Sequence, residues 1–284
     1  MLVVRTRSEL RAALAVAPRP VGLVPTMGWL HRGHVSLVGQ ARAESRTVVM
    51  SIFVNPRQFG ERSDFEQYPR NEARDLELAK AAGVDIVFAP PVDEVYPPGF
   101  DTRVSVGAIA LPLEGAARPG HFDGVATIVA ILFSLVGAER AYFGQKDAQQ
   151  VLVIRRMATD LAIATEVIAC PTVREPDGLA LSSRNVRLSP AERAAAPVVH
   201  RALEAAQDAW RDGERDGEAM REAMRAVLAR EPLAHPDYVS VADLATLAEL
   251  DRVEGPALLS LAVRFGTIRL IDNEPIGQDP SAPL

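Results

Sequence analysis

The 284-residue chain contains one cysteine, Cys170, so it has no intramolecular disulfide. It also has no basic excess: 31 Lys and Arg face 37 Asp and Glu, and a net charge of −6 repels a nucleic-acid backbone. No apolar run is long enough to cross a bilayer. The longest uncharged stretch, Gly124 to Ala138, falls short of the roughly 20 residues required and reads as a buried helix. Residues 1–10 carry Arg5, Arg7 and Glu9 where a signal peptide needs an apolar core. The expected compartment is therefore the cytoplasm, and neither membrane nor nucleic acid is an expected partner. Several sequence devices are missing too. There is no Walker A Gly-Lys-Ser/Thr, no GxGxxG after the first strand, no GxSxG elbow, and no HExxH or paired Cys/His zinc spacing. These absences count against kinase, dehydrogenase, esterase and zinc-hydrolase readings.

What is present is an ordinary globular balance, 48% hydrophobic and 24% charged, in a chain long enough for one large domain or two unequal ones. Its first half alternates β-branched runs with amphipathic stretches, which predicts an α/β domain with a parallel sheet. Strands are expected at Val21–Val24, Val48–Val54, Asp85–Ala89, Arg140–Phe143 and Glu166–Ala169. They lack polar alternation, as strands covered on both faces do. Helices are expected at His34–Ser45, Glu72–Ala82, Asp123–Val136 and Asp147–Asp160, with Gly83 and Gly137 near helix ends. After about Pro171 the texture changes to a turn-rich loop, an Ala, Arg and Glu-rich helical region from Pro190 to Arg230, and β-like runs at Tyr238–Val241, Ala257–Val263 and Thr267–Ile271. This predicts a domain over 1–171 and a smaller α+β domain over 172–284, with 279–284 as a loose end.

Polar residues collect where predicted strands end. The first strand runs through Pro25, Thr26, Met27 and Gly28 to His31 and His34, at the expected start of a helix. In an open parallel sheet ligands bind beyond the carboxyl ends of the strands, and a helix N-terminus presents N–H groups to an anion. Two imidazoles three residues apart could donate to a phosphate that gains charge; as alternatives they cap a helix or bind a metal. The next strand ends in Asn55 and Gln58, amides able to hold the hydroxyl and carboxylate of a small substrate, or simply a turn and surface filler. The strand Arg140–Phe143 ends in Gly144, Gln145, Lys146 and Asp147, with Gln150 one turn further on. There an ammonium could neutralise nucleotide phosphates, and Asp147 has a sufficient role as a helix cap. Arg174–Asn185 reads as a mobile loop in which Ser182, Ser183 and Arg184 suit a triphosphate. His121 precedes an apolar helix that Asp123 or a neighbour caps. Asp75 fits either a Mg²⁺ ligand or an exposed helix face, and Cys170 a small buried hydrophobe.

In this order the segments PTMGWLHRGH (25–34), SIFVNPRQFG (51–60), GHFDGV (120–125), YFGQKDAQQ (142–150) and REPDGLALSSRN (174–185) resemble the pantothenate synthetase family, the ATP-dependent pantoate and β-alanine ligases. The resemblance covers almost the whole chain. Gln145, Ala148 and Leu181 depart from the residues common in the family, and none of them removes a group assigned to chemistry. It implies a Rossmann-like domain followed by a smaller domain that closes over the nucleotide. It also implies ATP and Mg²⁺, a pantoyl adenylate intermediate, and a homodimer. His31, His34, Lys146 and Arg184 would be catalytic. The nucleotide would lie among Pro25, Thr26, Met27, Gly28, His34, Gly144, Lys146, Asp147, Val173, Leu181, Ser182, Ser183 and Arg184. Pantoate would lie among Met27, Asn55, Gln58, His121 and Gln150, with Asp75 on the metal.

Overall fold

The computed structural model describes residues 1–60, 62–278 and 284. By its internal contacts the chain divides into two compact units, one of residues 1–144 and 149–170, the other of 145–148 and 171–284.

The elements of the first unit run in the order β1 (Leu2–Val4), α1 (Arg7–Ala15), β2 (Val21–Thr26), α2 (Arg32–Glu44), β3 (Thr47–Ile52), α3 (Arg62–Gln67), α4 (Glu72–Ala82), β4 (Ile86–Phe88), α5 (Val92–Val95), α6 (Glu114–Ala117), α7 (His121–Val136), β5 (Arg140–Gly144), α8 (Ala148–Asp160) and β6 (Glu166–Cys170). Six strands form one sheet in the order β1-β4-β3-β2-β5-β6, and every pairing is parallel. β2 is central and almost wholly buried, which its apolar sequence requires under helices on both faces. From β2 the chain builds outward through β3 and β4 on one side, then restarts on the other with β5 and β6. The strand order therefore switches between β2 and β5, where such sheets leave a crevice.

Three local outcomes differ from expectation. β1 and α1 fall outside the expected elements, although α1 carries a sequence signal: Thr6 Oγ1 accepts from the Glu9 N–H at 3.1 Å while Glu9 Oε2 accepts from the Thr6 N–H at 3.0 Å. α2 begins at Arg32, two residues before the expected His34, so His34 lies in its first turn and His31 is its N-cap residue. α7 begins at His121 after Gly120, whose φ of 79° favours glycine, and Asp123 falls in the first turn without capping.

The second unit contains α9 (Pro190–Ala195), α10 (Val198–Arg211) and α11 (Gly217–Leu228), then an antiparallel sheet of β7 (His235–Asp243), β8 (Ala257–Phe265) and β9 (Ile268–Ile276) with β8 central. Ala202, Leu203 and Ala206 of α10 and Met220, Met224 and Leu228 of α11 pack with Leu259, Leu261 and Val263 of β8 in a single apolar cluster. Burying a Leu or Met side chain contributes about 1.5–3 kcal/mol, so this core can hold three strands that no neighbouring sheet extends. Apart from Leu284, the expected loose end at 279–284 lies outside the described residues. Among the described residues no helix is long and apolar enough to cross a membrane.

Candidate active site

At the end of β2, Thr26 Oγ1 donates to the Ser51 carbonyl at 2.7 Å and accepts from the Gly28 N–H at 3.2 Å, which starts a tight turn beyond the sheet. Gly28 and Trp29 both take positive φ, 81° and 50°. A Cβ on Gly28 would lie 2.9 Å from Asp75 Oδ2 and 3.2 Å from Ile52 Cγ2, so glycine is required there twice over. Trp29 has no such freedom, and a non-glycine residue in this region costs of order 1 kcal/mol or more. Asp75 offsets that cost. Its Oδ2 accepts from the Trp29 N–H at 2.7 Å and its Oδ1 from the Leu30 N–H at 2.8 Å, and the residue is 1% exposed. Asp75 is therefore not on an exposed helix face, and each of its oxygens accepts from a backbone amide. Its role is to shape the turn that presents the histidines.

That turn leads into α2 through a reciprocal pair. His31 Nδ1 accepts from the Gly33 N–H at 3.2 Å, and His34 Nδ1 accepts from the His31 N–H at 3.3 Å. The rings lie face to face, with centroids 4.0 Å apart and planes 36° apart. A nitrogen that accepts carries no proton, so each neutral imidazole holds its proton on Nε2. Both rings sit at the helix N-terminus, and of the alternatives in the sequence capping is the one seen.

Past β3 the chain turns through a short 3₁₀ segment, Pro56–Gln58. Asn55 is 1% exposed, and its Nδ2 donates to Gln58 Oε1 and to the Gly124 carbonyl, both at 3.0 Å. Gln58 Nε2 lies 3.0 Å from Met27 Sδ. His121 Nδ1 sits 2.8 Å from the Gln58 carbonyl and its Nε2 3.2 Å from Arg118 Nη1. The first unit thus gathers Met27, Asn55, Gln58 and His121 into one cluster. Through its Nδ1 contact with the Gln58 carbonyl, His121 is packed against the backbone of Gln58. Gln150 is half-buried in the first turns of α8. Its neighbour Gln149, passed over in the sequence, binds the Glu114 N–H and the carbonyls of Ile109 and Pro112, which fixes the approach to α7.

In the second unit, Lys146 lies in the turn Gln145–Asp147, with Nζ 3.7 Å from Asp147 Oδ1. Asn273 of β9 holds this turn: its Nδ2 donates to the Gln145 carbonyl at 3.0 Å and to the Lys146 carbonyl at 2.9 Å. The next residue back, Asp272, pairs with Arg174 at 2.6 Å, and Glu274 takes the other guanidinium nitrogen at 2.6 Å. Burial pulls the Arg174 guanidinium down, and these two carboxylates outweigh it and hold it above its ordinary value. The loop that follows is bonded to itself along most of its length. Arg174 bridges to Ala180, the Glu175 N–H bonds the Leu179 carbonyl at 2.8 Å, and the Leu181 N–H bonds the Val173 carbonyl at 2.9 Å. The Arg184 N–H bonds Ser182 Oγ at 3.2 Å, and Asn185 Nδ2 bonds the Ala180 carbonyl at 3.0 Å, which fixes Ser182, Ser183 and Arg184 in a tight half-buried turn.

Among the described residues, no group of three or more His, Cys, Asp or Glu side chains is placed to hold a metal ion. A separate cavity of about 570 Å³ opens past β1, β3 and β4, lined by Arg5, Ile52, Glu72, Ala89 and Glu94 among others. None of the predicted site residues lines it.

The family model for pantoate-beta-alanine ligase matches residues 2–275. This chain belongs to that family. The pantothenate synthetase of Roseiflexus castenholzii is 64% identical over 96% of this chain and 98% of its own, and that of Chloroflexus aggregans is 59% identical over 96% and 99%. Among solved structures, pantothenate synthetase from Thermus thermophilus superposes with a TM-score of 0.92 at 50% identity, covering 96% of this chain and 99% of that one. The pantoate-beta-alanine ligase of Francisella tularensis, complexed with beta-gamma ATP and beta-alanine, gives 0.80 at 31% over 99% and 100%. The six-stranded parallel sheet and the smaller three-stranded sheet are the architecture of this ligase family.

Proposed function

We propose that this chain condenses pantoate with β-alanine at the expense of ATP, and family membership over residues 2–275 carries that reading. A carboxylate resists an amine because its oxygen leaves poorly, so the reaction takes two steps. A pantoate carboxylate oxygen attacks the α-phosphorus of Mg·ATP, the bond from that phosphorus to the bridging oxygen breaks, and pyrophosphate departs. The β-alanine amine then attacks the pantoyl carbonyl, the carbon–oxygen bond to AMP breaks, and the amine loses its proton. Mg²⁺ would enter with the nucleotide as part of the substrate, because this ion usually binds through phosphates, water and one or two carboxylates, and Asp75 is the carboxylate this reading offers it.

In this reading His31 and His34 donate through Nε2 to the phosphates as charge moves onto pyrophosphate, an effect worth a few kcal/mol where donors are held in place. Lys146 neutralises the same oxygens, and Ser182, Ser183 and Arg184 grip the triphosphate. Pro25, Thr26, Met27, Gly28, Gly144, Asp147, Val173 and Leu181 complete the nucleotide's surroundings. Gln58 and Gln150 hold pantoate beside Met27 and Asn55, with His121 supporting Gln58. The second domain, 172–284, closes over the nucleotide and shields the adenylate from water. A cytoplasmic homodimer completes the proposal, and size-exclusion chromatography with light scattering tests the dimer.

The decisive assay is exchange of labelled pyrophosphate into ATP without β-alanine. Exchange that requires pantoate is expected; its absence overturns the adenylate. Lys146→Ala and His34→Ala should suppress exchange while the fold survives, and parental exchange in both overturns their roles.

A further inference from the structure

Tyr96, just past α5, has no part in the reading above. Its hydroxyl donates to Asn55 Oδ1 at 2.7 Å, and the Arg57 N–H donates to that same oxygen at 3.2 Å. Two donors on one atom fix it as the amide oxygen, because the reverse orientation would set an NH₂ group against an N–H and a carbonyl against the Gly124 carbonyl. Asn55 Nδ2 then spends both protons, one on Gly124 and one on Gln58 Oε1. With its oxygen taken, Gln58 is left to present Nε2, which among the described residues meets only the weakly accepting sulfur of Met27.

We infer that Tyr96 is a positioning residue that sets which end of the Gln58 amide faces the substrate, so that Gln58 offers N–H donors to an oxygen of pantoate. The inference rests on the assignment of Gln58 to pantoate. Tyr96 is well held for this purpose. The Arg57 guanidinium lies 4.8 Å from its ring centroid and 4.6 Å from that of Phe100, and the rings of Phe100 and Phe53 flank Tyr96 at 5.0 and 6.1 Å. Burial, opposed by Arg57, pushes the phenol up to about 12, so it keeps the proton it donates. Without that proton Asn55 loses one of the three contacts that orient it, the shortest, and Gln58 is freer to turn its carbonyl toward a carboxylate, where it repels.

The test uses the full chain with steady-state kinetics for each substrate. For Tyr96→Phe the expected result is a KM for pantoate raised about fivefold to tenfold, the scale of one lost hydrogen bond, with kcat and the KM for ATP within about twofold. A merely structural defect would move all three. Gln58→Glu, which removes the donor itself, should raise the pantoate KM further. If it does not, the assignment of Gln58 fails and the inference falls with it. If Gln58→Glu has its effect and Tyr96→Phe has none, only the role of Tyr96 is overturned. A measurement on the unaltered chain covers the case in which Tyr96→Phe does not fold. With Asn and Gln labelled with ¹⁵N, pantoate should shift the side-chain NH₂ signals of Gln58 and leave those of Asn55 in place. A Gln58 signal unmoved by saturating pantoate overturns the inference.

Discussion

Asn273 holds the backbone carbonyl of Lys146 at 2.9 Å across 127 residues of sequence, and the carbonyl of Gln145 with the same nitrogen. The lysine proposed to meet the phosphates is thus seated by a strand of the C-terminal sheet. Asn273→Ala removes both bonds, each worth about 0.5–1.5 kcal/mol, and should lower pyrophosphate exchange roughly tenfold. Pantoate affinity should stay unchanged. Asn273→Asp, which sets a carboxylate against two carbonyl oxygens, should lower exchange further. Parental exchange rates in Asn273→Ala would remove the link.

Asp75 makes a second long-range contact, to the amides of Trp29 and Leu30. Asp75→Asn keeps one acceptor and turns an NH₂ toward the other amide. The expected loss is about 2–4 kcal/mol of stability in urea denaturation, from a charge-assisted bond broken and a buried amide left unmatched. Exchange should fall as well, because the turn that places His31 moves.

Gly124 lies inside α7, where alanine would ordinarily be favoured by up to about 1 kcal/mol. Here a Cβ would sit 2.3 Å from the Arg57 carbonyl oxygen and 2.7 Å from the Gln58 nitrogen. Backbone atoms cannot give way as a flexible side chain does, so Gly124→Ala should cost about 1–3 kcal/mol and raise the KM for pantoate by displacing Gln58. A variant with unchanged melting and kinetics would show that the helix moves aside freely.

Alkaline pH should weaken the fold in a defined window. Burial, assisted by Glu44, pushes the Cys170 thiol up to about 11 from an ordinary 9, and burial pushes Tyr96 and Tyr142 up to about 12 from 10. Each group ionises more readily in the unfolded chain. Their contribution is thus complete below pH 9, declines as pH rises through 9 to 11 for the thiol, and declines from 10 to 12 for the phenols. Denaturant midpoints measured across this range should fall, and Cys170→Ala should remove the earliest part of the decline. In the native state at about pH 8 Cys170 should resist thiol reagents that label it after unfolding.

The parallel sheet could be read from the sequence because buried strands repeat apolar residues without polar alternation, as Val21 to Val24 do. The histidine pair, Lys146 and the Ser-Ser-Arg turn stand out because polar residues crowd where those strands stop. β1 is not legible, being a three-residue strand with no period to detect, whereas α1 carries the Thr6 and Glu9 signature and could have been found. Asp75 misleads because its helix places it plausibly at the surface, and the amides it binds lie 45 and 46 residues away. Tyr96 gives no local signal at all. Asp272, Asn273 and Glu274 are easily passed over because they follow the apolar run that ends at Ile271, yet the strand continues through them and their partners are Arg174 and the Lys146 turn.

The tetrapeptide 145–148 lies, in sequence, between two stretches of the first compact unit, yet it packs as part of the second. Severing the chain after Cys170 would therefore not release two self-sufficient fragments. The N-terminal piece would keep Lys146 without the asparagine that seats it, and the C-terminal piece would lack a loop its own sheet is built to receive. Split or permuted versions of this protein should instead be opened at a turn within one body, such as Gly213 between α10 and α11, where a φ of 100° and open space around the missing Cβ mark a bend with little to lose.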